Sequence, residues 1–351
     1  TRDCSLQRRN QKLVEEAPAP FLTEAQRTQV HESARAICAA AGYESAGTVE
    51  FLLGQNGQIS FLEVNTRLQV EHPVTEETTG VDLVIEQLRV ADGLPLSFTA
   101  TPPARGHSLE FRINAEDPGR GYLPTPGRIT RFDAPSGPGV RLDSGFATGS
   151  VVPGSFDSLM GKLIVTGSSR EQALVRARRA LAEFAIEGVA SVLPFHRAVV
   201  DDPAFTAEND FAVHTRWIET EMRTQFEPAA RPEPADGAPL VRSFIEIDGK
   251  RVRLGLPAGL ALPQGANAAP IAAAPSAAAA QQPGDVPAPL TGNLVRWHKA
   301  SGEPVEAGEV IATLEAMKME TAVNAPCAGT LQCLVEAGAL LQAGQLMAKI
   351  G

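Results

Sequence analysis

An internal repeat near the C-terminus restricts the possible folds of this chain more than any other feature of its sequence. Corresponding positions recur at an offset of 36 or 37 residues: Ala288-Pro289 with Ala325-Pro326, Gly302 with Gly338, Gly308 with Gly344, and Ile311-Ala312 with Met347-Ala348. Each half consists of short, alternating apolar runs separated by glycine, which is typical of strands joined by tight turns. Two such halves predict a small all-β sandwich with pseudo-twofold symmetry over residues 288–351. The segment between the halves is then a hairpin turn that exposes Lys318 to solvent.

Lys318 lies midway between the two halves, in the hexapeptide Glu315-Ala316-Met317-Lys318-Met319-Glu320. This string and the repeat around it resemble biotinyl domains, also called biotin carboxyl carrier domains, whose lysine at this place carries covalent biotin. Lipoyl domains share the fold, but their modified lysine usually lacks the two flanking methionines, so Met317 and Met319 favour biotin. The resemblance implies that a biotin protein ligase modifies Lys318. The alternative is a strand whose lysine simply points outward.

The composition excludes several classes of partner. The 351 residues include 41 acidic and 31 basic side chains, and this net charge of −10 argues against nucleic acid or an anionic membrane as the main partner. No run of 18 apolar residues occurs, so no membrane span is predicted. The four cysteines show neither Cys-x-x-Cys spacing nor the density of a secreted domain, which favours a reducing cytoplasm. Because the first residues contain neither an initiator methionine nor a signal peptide, we expect a piece of a longer protein.

Helical and strand-like patterns alternate over residues 1 to about 219, which predicts an α+β or α/β body. The clearest examples are the helical patterns at 24–41 and 169–184 and the strand patterns at 47–53 and 59–64. Beyond this body, residues 223–263 are predicted to form a spacer with a small β hairpin around Asp248-Gly249. Residues 264–287 are rich in Ala and Pro and predict a flexible linker.

Two glutamates flank a predicted hairpin turn at Asn56-Gly57 and form a candidate metal site. If these two residues are the central turn positions, Glu50 lies directly opposite Glu63, and Asn65 shares a face with Glu63. Opposed carboxylates destabilise a strand pair unless another group compensates. A hard divalent cation such as magnesium would compensate, and the alternative is a pair of solvent-exposed acids.

Residues 65–75 bring Arg, Gln, Glu and His together in a stretch with no helical pattern. An arginine fork can hold a carboxylate-like anion by two hydrogen bonds, and a nearby glutamate can act as a general base. The cluster therefore favours a binding site for a small oxyanion. A structural loop held by salt bridges is the alternative.

Several strings of the body resemble biotin carboxylases of the ATP-grasp superfamily. They are Arg2-Asp3-Cys4-Ser5-x-Gln7-Arg8-Arg9, Glu15-Glu16-Ala17-Pro18, Glu63-Val64-Asn65-x-Arg67-Leu68-Gln69-Val70-Glu71-His72-Pro73-Val74-Thr75-Glu76, Arg112-Ile113-Asn114-Ala115-Glu116-Asp117 and Phe156-Asp157-Ser158. The resemblance implies an α+β body formed by the C-terminal half of such an enzyme: part of the ATP-grasp domain at 1–97 and the biotin carboxylase C-terminal domain at 98–222. The all-β biotinyl domain at 288–351 follows.

The resemblance also implies a role for each matching residue. Glu50, Glu63 and Asn65 would bind magnesium or manganese, and bicarbonate would be bound by Lys12, Arg67, Gln69 and the backbone of Val70. Glu71 would deprotonate bicarbonate. Arg112 would stabilise the enolate-like oxygen of biotin. His72, near the ureido ring, and Gln7 complete the implied cofactor-binding residues. ATP and bicarbonate would react through carboxyphosphate, and the positive groups would stabilise the charge of that phosphoryl transfer.

Two departures from the family pattern affect what we expect. Asn10 stands where many relatives have a histidine that touches the nucleotide. The N-terminal half of the ATP-grasp unit, with its glycine-rich lid and phosphate-binding lysines, has no counterpart in this sequence. We therefore expect the chain alone to bind ATP poorly and to carboxylate little.

Between the body and the biotinyl domain there is no room for a carboxyltransferase domain. The chain therefore resembles the α subunit of an acetyl- or propionyl-CoA carboxylase, an enzyme of fatty acid metabolism in which a separate β subunit performs the transfer. A homo-oligomer within a larger complex is expected. The alternatives are a subunit of another biotin-dependent carboxylase such as pyruvate carboxylase, a non-catalytic biotin carrier, and a lipoylated carrier of a dehydrogenase complex.

Overall fold

The structure is a computed structural model that describes residues 1–208, 211–230, 240–247, 250–257, 284–290, 292–316, 319–341 and 344–351. The chain forms two compact units, Thr1–Ala229 and Ala230–Gly351. Lys318 and most of the predicted linker lie outside the described residues. Among the described helices, none combines the length and the apolar character that crossing a bilayer requires.

The first unit contains both helices and strands. Its strands are β1 (Asp3–Arg8), β2 (Gln11–Ala17), β3 (Thr48–Leu53), β4 (Ile59–Asn65), β5 (His107–Asn114), β6 (Glu116–Asp117), β7 (Leu123–Pro124), β8 (Gly127–Arg128), β9 (Arg131–Asp133), β10 (Val140–Ser144), β11 (Val151–Val152), β12 (Leu159–Gly167) and β13 (Ala185–Glu187). Its helices are α1 (Glu24–Ala40), α2 (His72–Thr79), α3 (Leu83–Ala91), α4 (Arg170–Glu183), α5 (Leu193–Val199), α6 (Pro203–Thr206) and α7 (Trp217–Thr220), with a 3-10 turn at Pro118–Arg120.

The sheet that positions the site is antiparallel, with the strand order β1-β2-β5-β12-β10. Side chains alternate between its two faces, so Leu109, Phe111 and Ile113 of β5 enter one core while Glu110 and Arg112 lie on the other face. Helix α4 packs on β5 and β12, and α2 packs on β2, β5 and β12. The polar face is therefore covered as well, and a charged side chain on it must find a partner inside the protein.

The predicted helices at 24–41 and 169–184 are confirmed as α1 and α4. Each begins at a residue whose side chain accepts a hydrogen bond from a free backbone amide of the first turn: Thr23 bonds to the amide of Gln26 and Ser169 to that of Gln172. The Gln26 side chain returns a bond to the Thr23 backbone, which completes a capping box.

The strand pair β3–β4 confirms the predicted alignment of acidic residues. Glu50 lies directly opposite Glu63, and Thr48 lies opposite Asn65. Asn65, two residues after Glu63, is on the same face of the pair. The candidate metal residues therefore meet at one end of this hairpin.

The predicted turn of this hairpin is wrong. The amide of Gly54 bonds to the carbonyl of Gln58 at 2.8 Å, so residues 55–57 form a three-residue loop that ends at Gly57 with φ of +78°. Such a loop shifts the pairing near the turn by one residue. A bulge at Leu62, between the pairs Phe51–Phe61 and Glu50–Glu63, shifts it back. The two deviations cancel, which explains why the acidic pair is nevertheless aligned.

Residues 65–75, the candidate oxyanion site, were expected to be non-helical, and this is only partly correct. Helix α2 begins at His72, with Pro73 in its first turn, where the missing amide of proline costs no helical hydrogen bond. Residues 65–71 lie before the helix, and Glu71 is its N-cap residue. The helix ends at Thr79 and is capped by Gly80, which adopts a left-handed conformation with φ of +73°.

The second unit begins with a β hairpin and continues with a sandwich. The hairpin strands are β14 (Leu240–Ile247) and β15 (Lys250–Pro257), as predicted, and the turn residues 248–249 lie outside the described part of the chain. The sandwich strands are β16 (Asp285–Pro287), β17 (Gly292–Trp297), β18 (Pro304–Val305), β19 (Val310–Ala316), β20 (Met319–Asn324), β21 (Gly329–Cys333), β22 (Leu340–Leu341) and β23 (Leu346–Ile350). Residues 285–287, included in the predicted linker, thus belong to the sandwich, because β16 pairs with β23 and Val286 is buried.

The pseudo-twofold symmetry predicted from the repeat is confirmed. The two sheets have the orders β16-β23-β21-β18 and β20-β19-β17-β22, which correspond strand for strand. The amide of Gly308 bonds to the carbonyl of Ala325, and the amide of Gly344 bonds to that of Ala288, both at 2.8 Å. Both glycines adopt left-handed conformations, with φ of +84° and +83°. Each half of the repeat therefore closes a turn of the other half.

Candidate active site

Glu71 is the centre of a buried charged cluster in the first unit. Its Oε1 accepts a hydrogen bond from Lys12 Nζ at 2.7 Å, and its Oε2 accepts one from Arg112 Nη2 at 2.9 Å. Lys12 lies on β2 and Arg112 on the adjacent β5, while Glu71 lies at the start of α2, which packs on both strands. The Glu71 side chain is only 2% exposed, so its charge must be balanced by these two cations.

Arg112 also binds a second carboxylate. Its Nε donates to Glu15 Oε1 at 2.6 Å, and the Glu15 side chain is fully buried. Nε and Nη2 of the guanidinium both lie against Glu15 Oε1, and Nη2 also donates to Glu71 Oε2, so the planar fork bridges the two carboxylates and its orientation is fixed. Sequence reasoning did not assign Glu15. Its strand reads Gln-Lys-Leu-Val-Glu-Glu-Ala, so there is no apolar background in the sequence against which Glu15 could be recognised as a buried charge.

The cluster holds Glu71 in its ionised form. Burial alone would raise the pKa of Glu71, but Arg2, Lys12 and Arg112 together lower it to about 2. The pKa of Lys12 is raised against the opposing effect of burial, in part by Glu71. The pKa of Arg112 is likewise raised, by Glu15 and Glu71, despite its burial. At neutral pH all of the hydrogen bonds around Glu71 are therefore charge-assisted.

This arrangement predicts a loss of stability in acid. The pKa of Glu71 in the folded protein lies below its ordinary value of 4.5. The ionised side chain therefore stabilises the folded protein above pH 4.5, and this stabilisation disappears as the pH falls towards about 2. The full contribution is about 3 kcal/mol. We expect the free energy of unfolding, measured by urea titration from about pH 5 to about pH 3, to fall less steeply in Glu71→Gln than in the wild type. Glu77→Gln, an exposed glutamate of the same helix, is the control and should fall like the wild type.

Gln69 connects the Glu71 cluster to the acidic hairpin. Its Nε2 donates to Glu50 Oε1 at 2.7 Å, and its Oε1 accepts from Arg2 Nη2 at 2.9 Å. The same Arg2 nitrogen lies 2.8 Å from Thr48 Oγ1 on β3. Lys12 Nζ adds a further bond to Glu50 Oε1, at 2.9 Å. Arg2 is thus a contributor that sequence reasoning missed, since nothing near it in the sequence indicates a contact with residue 69.

Glu50, Glu63 and Asn65 form a set of oxygen-rich side chains that fits a hard cation. Asn65 Nδ2 lies 3.0 Å from both Glu50 Oε1 and Glu63 Oε1, so the side-chain amide of Asn65 donates hydrogen bonds to both carboxylates. Magnesium prefers such oxygen ligands and keeps several waters or phosphate oxygens. Within the described residues, no group of three or more His, Cys, Asp and Glu side chains forms a complete metal cage. A cation held here would therefore need ligands from a substrate, as with nucleotide phosphates.

Two contacts of the main chain fix the segment before α2. Lys162 Nζ on β12 donates to the carbonyl oxygen of Val70 at 3.0 Å. His72 Nδ1 lies 2.9 Å from the carbonyl oxygen of Gln69, and its Nε2 is 3.8 Å from Glu76 Oε1. Burial lowers the pKa of His72, which favours a neutral ring. Lys162 was not found from the sequence, because its position on β12 is set by the register with β5.

Two predicted site residues stand apart from the Glu71 cluster. The exposed side chain of Arg67 donates to Asn65 Oδ1 at 3.3 Å and so reaches the acidic hairpin. Gln7 donates to the carbonyl of Cys4 at 3.2 Å, within its own strand, and it has no hydrogen bond to the cluster among the described residues. Asn10 and Arg9 have φ of +64° and +50° in the turn between β1 and β2, a conformation that asparagine tolerates well.

The chain matches three family models in the order of its units. Residues 1–99 match the ATP-binding domain of the carbamoyl-phosphate synthase L chain, and residues 110–220 match the biotin carboxylase C-terminal domain. Residues 284–350 match the model described as biotin-requiring enzyme. The chain belongs to the biotin-dependent carboxylases. Its carboxylase body contains the Glu71 cluster, and its biotinyl domain contains Lys318, which lies outside the described residues.

Relatives of this carboxylase chain differ in how much of it they match. The biotin-dependent acyl-coenzyme A carboxylase alpha3 subunit of Mycobacterium leprae is 54% identical over 100% of the chain, which spans 61% of that protein. A pyruvate carboxylase subunit of Methanothermobacter thermautotrophicus is 48% identical over 63% of the chain and 45% of its own length. The crystal structure of the 2-oxoglutarate carboxylase biotin carboxylase domain of Hydrogenobacter thermophilus, with MgADP and bicarbonate, is 43% identical, with a TM-score of 0.60 over 62% of this chain and 48% of that one.

Proposed function

We propose that the chain acts in the α subunit of a biotin-dependent acyl-CoA carboxylase. It would use ATP, magnesium and bicarbonate to carboxylate biotin on Lys318, and a carboxyltransferase β subunit would receive the carboxyl group. The observation that supports this most strongly is the ionised, buried carboxylate of Glu71 between Lys12 and Arg112, next to the acidic pair Glu50 and Glu63. A base, two anion-binding cations and a cation site are what the activation of bicarbonate by ATP requires.

Glu71 would act as the general base only after its cations are redistributed. With a pKa of about 2 it is ionised but a poor acceptor of protons. A bicarbonate anion bound beside Lys12 and Gln69 would compete with Glu71 for the Lys12 ammonium. Loss of that contact would raise the pKa of Glu71 towards the range in which it can take the proton of bicarbonate. Substrate binding would in this way switch on the base.

The acidic hairpin would serve the nucleotide. Magnesium bound at Glu50 and Glu63 would neutralise charge on the phosphates of ATP. Glu50 also accepts bonds from Lys12 and Gln69, so it links the cation site to the proposed bicarbonate site. These shared contacts would place the phosphate and the bicarbonate side by side, which is how positioning accelerates such a transfer.

The acyl-CoA specificity rests on the coverage of the relatives. The Mycobacterium leprae protein matches the entire chain, including the biotinyl domain, whereas the pyruvate carboxylase relative matches 63% of it. The acyl-CoA itself would bind to the β subunit. Membership of a pyruvate carboxylase is the second candidate function, supported by the 48% identity of the carboxylase body.

The proposal is tested with radiolabelled bicarbonate and the full-length, biotinylated subunit. We expect label on the protein only when ATP and magnesium are both present, and transfer of that label to acetyl-CoA or propionyl-CoA when a β subunit is added. Transfer to pyruvate alone would replace the acyl-CoA assignment with the second candidate. Protein that carries biotin but never becomes labelled would overturn the carboxylase role and leave a carrier.

A further inference from the structure

Glu110 is a fully buried carboxylic acid that the proposed reaction does not use. It lies on β5 between Leu109 and Phe111, and its side chain projects from the polar face of the sheet, which α2 covers. It is 0% exposed, and neither Oε1 nor Oε2 has a hydrogen-bond partner among the described residues. A buried polar group without a partner is costly, so this position requires an explanation.

The residue directly opposite Glu110 is also a glutamate. In the register of β2 and β5, Glu15 pairs with Glu110, so their side chains leave the same face with Cβ atoms about 4.5–5.5 Å apart. Glu15 Oε1 binds Arg112, but Glu15 Oε2 is buried and has no partner among the described residues. Two neighbouring carboxyl groups therefore have three oxygens without hydrogen bonds. One proton between them supplies the missing donor and removes the repulsion of two buried charges.

The surroundings decide which of the two glutamates is charged. Glu15 contacts the guanidinium of Arg112 directly, which favours its ionised form. Burial, and after it the charge of Glu15, raises the pKa of Glu110 well above its ordinary value; Glu71 acts in the same direction, and Lys162 and Arg112 act against it. The Lys162 ammonium donates to the carbonyl oxygen of Val70, and it has no hydrogen bond to either Glu110 oxygen among the described residues. The proton accordingly belongs on Glu110.

We propose that Glu110 is a positioning residue for Arg112: as a neutral acid it donates its proton to the free oxygen of Glu15, and so holds the Glu15 carboxylate against the guanidinium. Arg112 then keeps one fixed partner on β2, while its Nη2 also reaches Glu71. When Glu71 gains a proton or turns to a substrate, the charge of Arg112 stays balanced by Glu15 alone. The catalytic part of this inference rests on the proposed function, whereas the protonation of Glu110 does not.

The geometry also explains why the acid must be neutral. If Glu110 were ionised, two buried carboxylates would face one guanidinium, and the excess negative charge would weaken the attraction of Arg112 for a developing anion. A neutral donor retains the hydrogen bond to Glu15 without this charge. Glutamine at position 110 has the same length and also offers an N–H donor to Glu15, while leucine offers none.

The first test observes the proton itself. In the full chain with isotope-labelled glutamate side-chain carbons, we expect an NMR signal of a protonated carboxyl group at neutral pH that disappears in Glu110→Gln. Glu116→Gln is the matched control, because Glu116 is another buried glutamate, on β6, the next strand along the chain, and it should leave the Glu110 signal in place. A wild-type spectrum in which Glu110 is ionised at neutral pH would overturn the proposal, whatever the activity of the protein.

The second test compares two substitutions in the biotinylated full-length subunit by the ATP-dependent labelling of biotin with radiolabelled bicarbonate. We expect Glu110→Gln to be about tenfold more active than Glu110→Leu, because only leucine leaves the Glu15 oxygen without a donor. Thermal unfolding verifies that both variants are folded, and the NMR test stands if the leucine variant is not. Equal activities of the two folded variants would exclude a positioning role for Glu110. A wild type that is inactive but has a protonated Glu110 would contradict the proposed function, whereas the proposal that Glu110 shares its proton with Glu15 would stand.

Discussion

Lys318→Arg is expected to abolish the incorporation of biotin completely. Biotin protein ligases form an amide with the ε-amino group of lysine, and a guanidinium cannot replace it because it stays protonated and is a poor nucleophile. The strands β19 and β20 pair up to Ala316 and Met319, and Lys318 itself lies outside the described residues. Intact mass after co-expression with a biotin protein ligase should show one added biotin in the wild type and none in the variant.

Two further measurements make this result specific. Lys349→Arg changes another lysine of the same domain, on strand β23, and should be biotinylated like the wild type. Mass spectrometry of the peptide that contains Lys318 identifies the modified residue and the attached group. Lipoyl instead of biotin on this peptide, or biotin on the Lys318→Arg variant, would refute the carrier assignment.

Glu71→Gln is expected to lower the rate of carboxylation by about 10²–10⁴-fold, the usual contribution of a general base. Glutamine preserves the size of the side chain but cannot accept a proton at neutral pH, and it leaves Lys12 and Arg112 without their shared carboxylate. The rate is measured as ATP-dependent labelling of the biotinylated full-length subunit by radiolabelled bicarbonate. Biotin incorporation at Lys318 should be unaffected, because the biotinyl domain has its own core.

The control for this substitution is Glu77→Gln on the same helix. Glu77 is exposed and binds Arg141 at 3.2 Å, far along α2 from its first residue, so we expect a rate within about twofold of the wild type. A Glu71→Gln variant that labels biotin as fast as this control would remove Glu71 from the role of base. If the variant keeps a bicarbonate-independent ATPase activity, the step it has lost is the activation of bicarbonate.

Periodic and repeated features of the fold were predictable from the sequence. The repeat at an offset of 36 or 37 residues determines the sandwich, since corresponding residues must occupy corresponding places in two sheets. The capping residues Thr23 and Ser169 mark the starts of α1 and α4. These signals are local, or repeat at a fixed interval, and a local pattern needs no knowledge of the rest of the fold.

The acidic hairpin shows a limit of such reasoning. The opposition of Glu50 and Glu63 was predicted from a two-residue turn that does not occur, and it holds only because the bulge at Leu62 offsets the longer loop. Bulges depend on how a strand packs against its surroundings, which a sequence pattern does not contain. A correct pairing can therefore follow from a wrong turn.

The partners of the candidate site were the least predictable part. Arg2, Glu15, Lys162 and Glu110 reach it from separate strands and loops, and their contacts depend on the order β1-β2-β5-β12-β10 and on the register within that sheet. Residues that are far apart in the sequence cannot be recognised as neighbours from the sequence alone, and Glu15 and Arg112 are an example. The resemblance to a family identified Glu71 and Arg112, but only the structure brought their supporting residues together.

The exchange of turns between the two halves of the sandwich has a consequence for synthesis on the ribosome. Strand β23 lies between β16 and β21, and the amide of Gly344 closes the turn at Ala288, so the sheet cannot form until residues near 350 have been translated. Strands β19 and β20 share a core with Met347 and Ala348 of that late strand. A ligase that recognises the folded sandwich would thus attach biotin only after the whole domain has been translated. The fraction of biotinylated protein in a preparation would then report the fraction of molecules whose sandwich has folded.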